Sequence, residues 1–316
     1  MQNTLRHHVG RLRVLGCLSL ISALSFSGCA TPTRIPLETS RRDSFTSTES
    51  VVGLRQQEIA ADIARSNVSA ATGGGLIGAI IDASVENSRA KKAEGVIVPV
   101  RDALVGYEPG AVLAEALRHE LTSLAWLKND AVVVRQSPDN KSLPGWIEKS
   151  TRDAVLFVST DYRFTPAFDA VVVTASVSVH PRTGPLKSAV KTRPGLPGLV
   201  YSNAFSISLP MPDLPAGKLT PAEACKLWAA DKGEKVRRVL DECFTELPKM
   251  IAFDLEQAAP ANNALYTAAD PQTAYVLLPT PGAPVPVMTR TFAVGDSSKA
   301  FTWRRHPGGE LSAMRK

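Results

Sequence analysis

Four cysteines and five histidines are the residues best equipped for nucleophilic, redox or metal chemistry in this 316-residue chain. Cys17 and Cys29 lie near the start, Cys225 and Cys243 near the end. The spacing of the last two matches no zinc ligand set, and no histidine stands near them. His119 and Glu120 lack the second histidine of an H-E-x-x-H helix. His180 and His306 each sit beside a proline, in turn contexts. There is no G-x-S-x-G elbow, and no S-x-x-K with its companion motifs. Asp153 and Asp161 could serve as acid and base, but eight residues of strand separate them by about 26 Å, too far to cooperate. These residue types point away from an enzyme: no catalytic residue, metal site or cofactor is assigned.

The chemistry that remains is at Cys29. Arg6, Arg11 and Arg13 make a positive start, and residues 14–26 form an uncharged run of small and apolar residues. About 13 residues are too few to span ~30 Å of hydrocarbon, so the run reads as an export signal that is removed. Phe26, Ser27, Gly28 and Cys29 resemble the lipobox of bacterial lipoproteins, with Phe26 where Leu, Val or Ile is usual. The resemblance implies that the Cys29 thiol carries diacylglycerol and that its amine, the new N-terminus, carries a further acyl chain. Val14, Leu15, Gly16 and Cys17 fit the same pattern, but only three residues separate Cys17 from Arg13. Ala30 stands where Asp would hold a lipoprotein of enterobacterial type in the inner membrane, which implies the periplasmic face of the outer membrane. Three acyl chains exceed the two signals that stable anchoring requires.

The bulk properties fit that address. Hydrophobic content of 44% against 21% charged describes a globular chain and excludes a disordered one. The formal charge is +6, of which three belong to the signal arginines; this mild bias is no argument for nucleic acid. With Cys17 removed and Cys29 acylated, Cys225 and Cys243 are expected to pair in an oxidising compartment.

Five segments follow: a signal peptide (1–28), a lipidated tether (29–50), a helical hairpin (51–95), an α+β domain (96–257) and a small β subdomain (258–316). The tether is rich in Pro, Thr, Ser and Arg. Residues 49–67 have helical spacing, with Val52, Ile59 and Ile63 on one face. Residues 82–94 continue as a polar helix that stops at Gly95. Between them Gly73, Gly75 and Gly78 spell G-x-G-x-x-G, but a helix pattern precedes it where a dinucleotide site needs a strand. Gly74 and Gly78 also form G-x-x-x-G, a close-packing pattern of membrane helices, which with Leu76 and Ile77 makes a candidate contact with lipid or a partner. The plainer reading is a glycine turn whose small residues let the next helix pack tightly.

Residues 96–100 read as an edge strand holding Pro99. Residues 109–128 form the clearest amphipathic helix. A strand at 131–135 and a short helix at 143–152 follow. Strands at 154–162 and 170–179 alternate with period two, Val173, Ala175, Val177 and Val179 against Thr174, Ser176 and Ser178. Residues 181–198 read as a loop and 199–209 as a strand. Thr220, Pro221 and Glu223 make a strong helix start. That helix breaks near Gly233, which permits a bent pair bringing Cys225 and Cys243 together, and it resumes to about residue 257 with a kink at Pro248. Short strands at 273–278, 287–294 and 299–305 build the C-terminal unit, with Trp303, Arg304 and Arg305 as a small basic patch.

From residue 96 to 257 the element order, with Arg152, Asp153, Ala154, Val155 and Leu156 leading into a strand, resembles the α+β domain of periplasmic lipoproteins. These include the curli-secretion lipoprotein, the lipoprotein activators of penicillin-binding proteins and the N-terminal domain of the Tol translocation protein. The expected fold is α+β: N-terminal helices with a glycine hinge, a mixed sheet packed by two long helices, and a small β unit. The expected function is a non-catalytic outer-membrane lipoprotein that binds a protein or cell-envelope polymer. The alternatives are an oligomeric secretion or pore accessory and, with less behind it, a cell-wall hydrolase.

Overall fold

The computed structural model describes residues 34–64, 76–136, 142–188, 190, 198–215, 217–257, 273–277, 286–290, 292–293, 301–306 and 310–315. The chain divides into two compact units, Met1–Pro32 and Thr33–Lys316, and every described residue belongs to the second. Cys29 and Gly74 lie outside the described residues.

In chain order the elements are a 3-10 turn (Thr39–Ser44), strands β1 (Thr48–Leu54) and β2 (Ala60–Ala61), and helices α1 (Leu76–Ala103) and α2 (Pro109–Leu121). A second 3-10 turn (Ala125–Leu127), strand β3 (Asn129–Gln136) and helix α3 (Ser142–Lys149) come next. The hairpin of β4 (Ala154–Phe164) and β5 (Ala170–Pro181), the short helix α4 (Gly184–Ser188), strand β6 (Tyr201–Pro210) and helix α5 (Pro221–Glu256) complete the centre. Strands β7 (Thr273–Leu277), β8 (Pro286–Arg290), β9 (Phe292–Ala293), β10 (Phe301–Arg305) and β11 (Leu311–Arg315) follow.

Nine strands make one mixed sheet in the order β3-β1-β4-β5-β6-β11-β10-β9, with β2 beside the end of β4. Strand β1 is parallel to both neighbours, β4 to β6 run antiparallel, and β11 returns parallel to β6. Strands β7 and β8 pair in a separate ladder. The fold is α+β, as the alternation of patterns predicts. Helices α1, α2 and α5 bury their apolar stripes against one face of the sheet, through Ile97, Val100, Leu113, Leu117, Val239, Leu240 and Leu247. On the other face, α3 covers a small patch of Val51, Val133, Val155 and Phe157 with Trp146 and Ile147. Trp228 anchors the start of α5: its ring lies 5.4 Å from Phe164, and its indole N–H donates to the Phe168 carbonyl at 2.7 Å.

Several expectations need correction. The helix expected over 49–67 is strand β1 and the extended residues after it. Val51 and Val52 are both buried, one in each of the two apolar clusters, so a strand covered on both faces shows no period of two. There is therefore no helical hairpin. Helix α1 runs through Gly95 and Pro99 to Ala103, absorbing the residues expected as an edge strand. Ile97 and Val100, three apart and fully buried, decide this: that spacing suits a helix face, and Val98 and Pro99 point outward. The tether is shorter than expected, because the chain is packed from Arg34 onward, with Leu37 and Phe45 buried. Strands β9 to β11 do not form a separate subdomain. Strand β11 extends the main sheet, and Phe301, Trp303, Leu311 and Ala313 enter the main core. Trp303 is therefore no part of an exposed basic patch.

Helix α5 breaks as expected: Ala230 is extended, and Asp231, Lys232 and Gly233 have positive φ. The non-helical dihedrals fall there and not at Pro248. The break does not build a hairpin. The first segment caps the β4–β5 turn through Trp228, and the second crosses the sheet, with Phe244 on Tyr162 and Asp254 at Tyr201. Cys225 and Cys243 are accordingly free thiols, both buried, which corrects the expected disulfide.

Candidate functional site

Two places on the molecule are organised beyond what a plain core needs. The first is the strap formed by residues 34–47, which crosses the end of the sheet where β4 begins. Arg34 opens it, buried, with Nε 3.1 Å from both carboxylate oxygens of Asp254. Tyr201 donates its hydroxyl to Asp254 at 2.7 Å, and Asn203 donates from Nδ2 at 2.9 Å. A buried ion pair survives only when its remaining hydrogen-bonding capacity is met, and here it is. Ile35 exchanges two backbone hydrogen bonds with Ser202, taking the place beside β6 that β11 leaves free, since β11 pairs only with residues Phe205 to Ser208. Arg42 donates to the last carbonyls of α5, Leu255 and Glu256, at 2.9 and 2.8 Å. A cation belongs at that negative end of a helix dipole. Its guanidinium also stacks 5.1 Å over Trp126, which meets Phe45 edge-on.

Asp153 finishes the strap. Its carboxylate accepts from Thr183, Thr46 and Ser47, and these hydrogen bonds hold its pKa below the usual carboxylate range. Asp153, which the sequence already sets too far from Asp161 for acid–base work, is a hub that joins strap, sheet and the turn after β5. Asp161, the other half, pairs with Arg163 at 2.6 Å.

The second place is the uncovered part of the sheet. Past α3, the outward residues include Thr174, Ser176 and Ser178 of β5, Ser202, Ala204, Ser206 and Ser208 of β6, and Ser312 of β11, all half-buried or exposed, with Val172 and Met314 as the large apolar members. A shallow pocket of about 310 Å³ sits over Thr174, Ser176, Ala204 and Ser206. Arg55 and Asp161 border it on the β4 side, and His306 and Glu310 on the β11 side. His306 Nε2 lies 2.9 Å from the Ser312 hydroxyl. Short hydroxyl side chains on a flat floor, flanked by charge, suit hydrogen bonding to a polar chain laid across the strands. The alternation of Thr174, Ser176 and Ser178 was legible in the sequence; the matching row on β6 needed the register.

At one end of this face a second Ser–His contact also has the geometry of a nucleophile and its base. Ser178 Oγ is 2.8 Å from His180 Nε2, and His180 Nδ1 is 2.9 Å from the Gly198 carbonyl. A carbonyl only accepts, so Nδ1 carries the proton and Nε2 accepts from Ser178. Burial pulls the His180 pKa below its usual value, and the Gly198 bond partly opposes this. At 5% exposure the imidazole is closed to substrate, and the trio ties the chain at Gly198 to β5.

The other expected site residues lie apart. Leu76, Ile77 and Gly78 form the first turn of α1. His119 is exposed on α2 beside Glu120. Burial pushes the Cys225 thiol up to about 12 and raises Cys243 as well. Among the described residues no three His, Cys, Asp or Glu side chains could hold a metal ion, and no helix is long and apolar enough to cross a membrane. A concavity of about 1010 Å³ runs along α5 and is walled by charges of both signs, a poor match to one ligand chemistry. No protein-family model, curated protein or solved structure matches this chain.

Proposed function

We propose that this protein is a non-catalytic lipoprotein of the outer membrane, held at the periplasmic face through acyl chains on Cys29, and that it binds a protein or envelope polymer on its open sheet face. The observation that supports this reading is the asymmetry of the sheet. One face is sealed by three helices, while the other, past α3, presents a row of small hydroxyl side chains. A sheet face with nothing to bind would ordinarily carry long charged residues that keep it solvated. Photo-crosslinking amino acids at Ser176 and Ser206 in living cells should capture a partner, and the same group at Glu234 on the helical side should not. Equal capture at all three, or none at the sheet positions of a stably expressed protein, counts against the sheet face. The anchor has its own test: clickable palmitate should label the wild type and not Cys29→Ala.

A further inference from the structure

We infer that the body rests directly on the membrane, with the strap end of the sheet against the lipid headgroups and the β4–β5 turn pointing away. The inference builds on acylation of Cys29, and it follows from chain length and from where the packed body begins. Only residues 30–33 lie between Cys29 and Arg34. Five steps of fully extended chain reach about 18 Å at most. Arg34 cannot pay out further slack, because its charge is buried on Asp254 and Ile35 is bridged to β6. The end of the sheet at Arg34 therefore stays within that reach of the acylated residue.

The surface there suits an anionic bilayer. Lys128, Arg182 and Lys187 lie at this end, next to the starts of β3 and β4 and the end of β5; Arg182 stands near Asp153 and helps to lower its pKa, and the two lysines make no ion pair among the described residues. Of the acids at this end, Asp130 pairs with Arg152 and Asp153 holds its hydroxyl donors, while Asp43 on the strap is exposed and Glu49 opens β1. The opposite end stands well clear. Strand β4 has 11 residues, so its ends are about 33 Å apart at ~3.3 Å per step. Helix α1 leaves from that far end: Arg89 donates to the Ala64 carbonyl there, and Ala93 and Val96 face Phe168. The middle of that helix, from Arg89 to Val96, thus lies away from the bilayer that holds Cys29.

The test uses the full mature lipoprotein, purified from membranes and reconstituted in vesicles of phosphatidylethanolamine and phosphatidylglycerol with an acceptor dye on the headgroups. A donor dye is placed at Lys187→Cys or at Asp213→Cys, two exposed positions at opposite ends; buried Cys225 and Cys243 stay unlabelled. Energy transfer should be several-fold higher from position 187 than from 213. A long Gly/Ser insert between Thr33 and Arg34 should abolish the difference. Equal transfer from both positions, in protein that carries the palmitate label, overturns the orientation and leaves the anchor standing. Loss of the palmitate label from wild type removes anchor and orientation together.

Discussion

At the scale of single residues, the arrangement with the largest predicted effect is Asp254. Asp254→Asn leaves the buried Arg34 guanidinium without its counter-charge, and such losses cost about 3–5 kcal/mol. Thermal unfolding should show a drop in Tm of many degrees; a shift of a degree or two would mean that the pair is not a keystone. This contact was illegible in the sequence, because Arg34 stands in a stretch with the composition of a tether and its partner is 220 positions away. His180 makes a second prediction. The folded state holds it neutral with a lowered pKa, so the unfolded chain takes up the proton first as pH falls. Its contribution to stability is complete above the usual histidine pKa of ~6.5 and is lost as pH drops through that value toward the lower folded one. Denaturant titrations at a series of pH values should show this decline, and His180→Asn should flatten it.

Among the elements, two glycines of the helical layer are predicted to respond in opposite directions. Gly233 has φ +76° in the break of α5, and a Cβ there would stand 3.0 Å from the Cβ of Ala103. Gly233→Ala should destabilise by about 1–2 kcal/mol through left-handed strain. Gly95 is exposed within α1 and has open space where a Cβ would go. Gly95→Ala should stabilise by about 0.5–1 kcal/mol. Chemical denaturation of both variants checks the pair, and a loss at Gly95 would show that α1 does not run through it. Local chemistry made some elements easy to read: Thr220 and Glu223 form the complete capping box that their spacing predicts. The β5 alternation survives intact for the same reason, since one of its faces is open. Strand β1 and the end of α1 were misread because their patterns depend on what covers them: β1 is buried on both sides, and only the core contacts of Ile97 and Val100 carry the helix past Gly95 and Pro99.

For the whole molecule, the decisive feature is that the end of the chain completes the sheet. The Trp303 indole N–H donates to buried Glu246 at 2.8 Å, and its ring packs edge-on against Phe253 at 5.2 Å. Truncation before Phe301 should abolish cooperative thermal unfolding, whereas a separable subdomain would leave the melt of the remaining body unchanged. A mixed sheet packed by long helices was legible from the order of patterns; the return of β11 to β6 was not, because no local signal encodes which strand a distant segment joins. That closure has a consequence for biogenesis. Strand β6 receives the first described residues through Ile35 and the last through β11, so its far edge is finished only when the C-terminus arrives. A polypeptide made from its N-terminus cannot seal this edge until strand β11 has emerged, which leaves the incomplete chain without Leu311 and Ala313 in its core until late in synthesis.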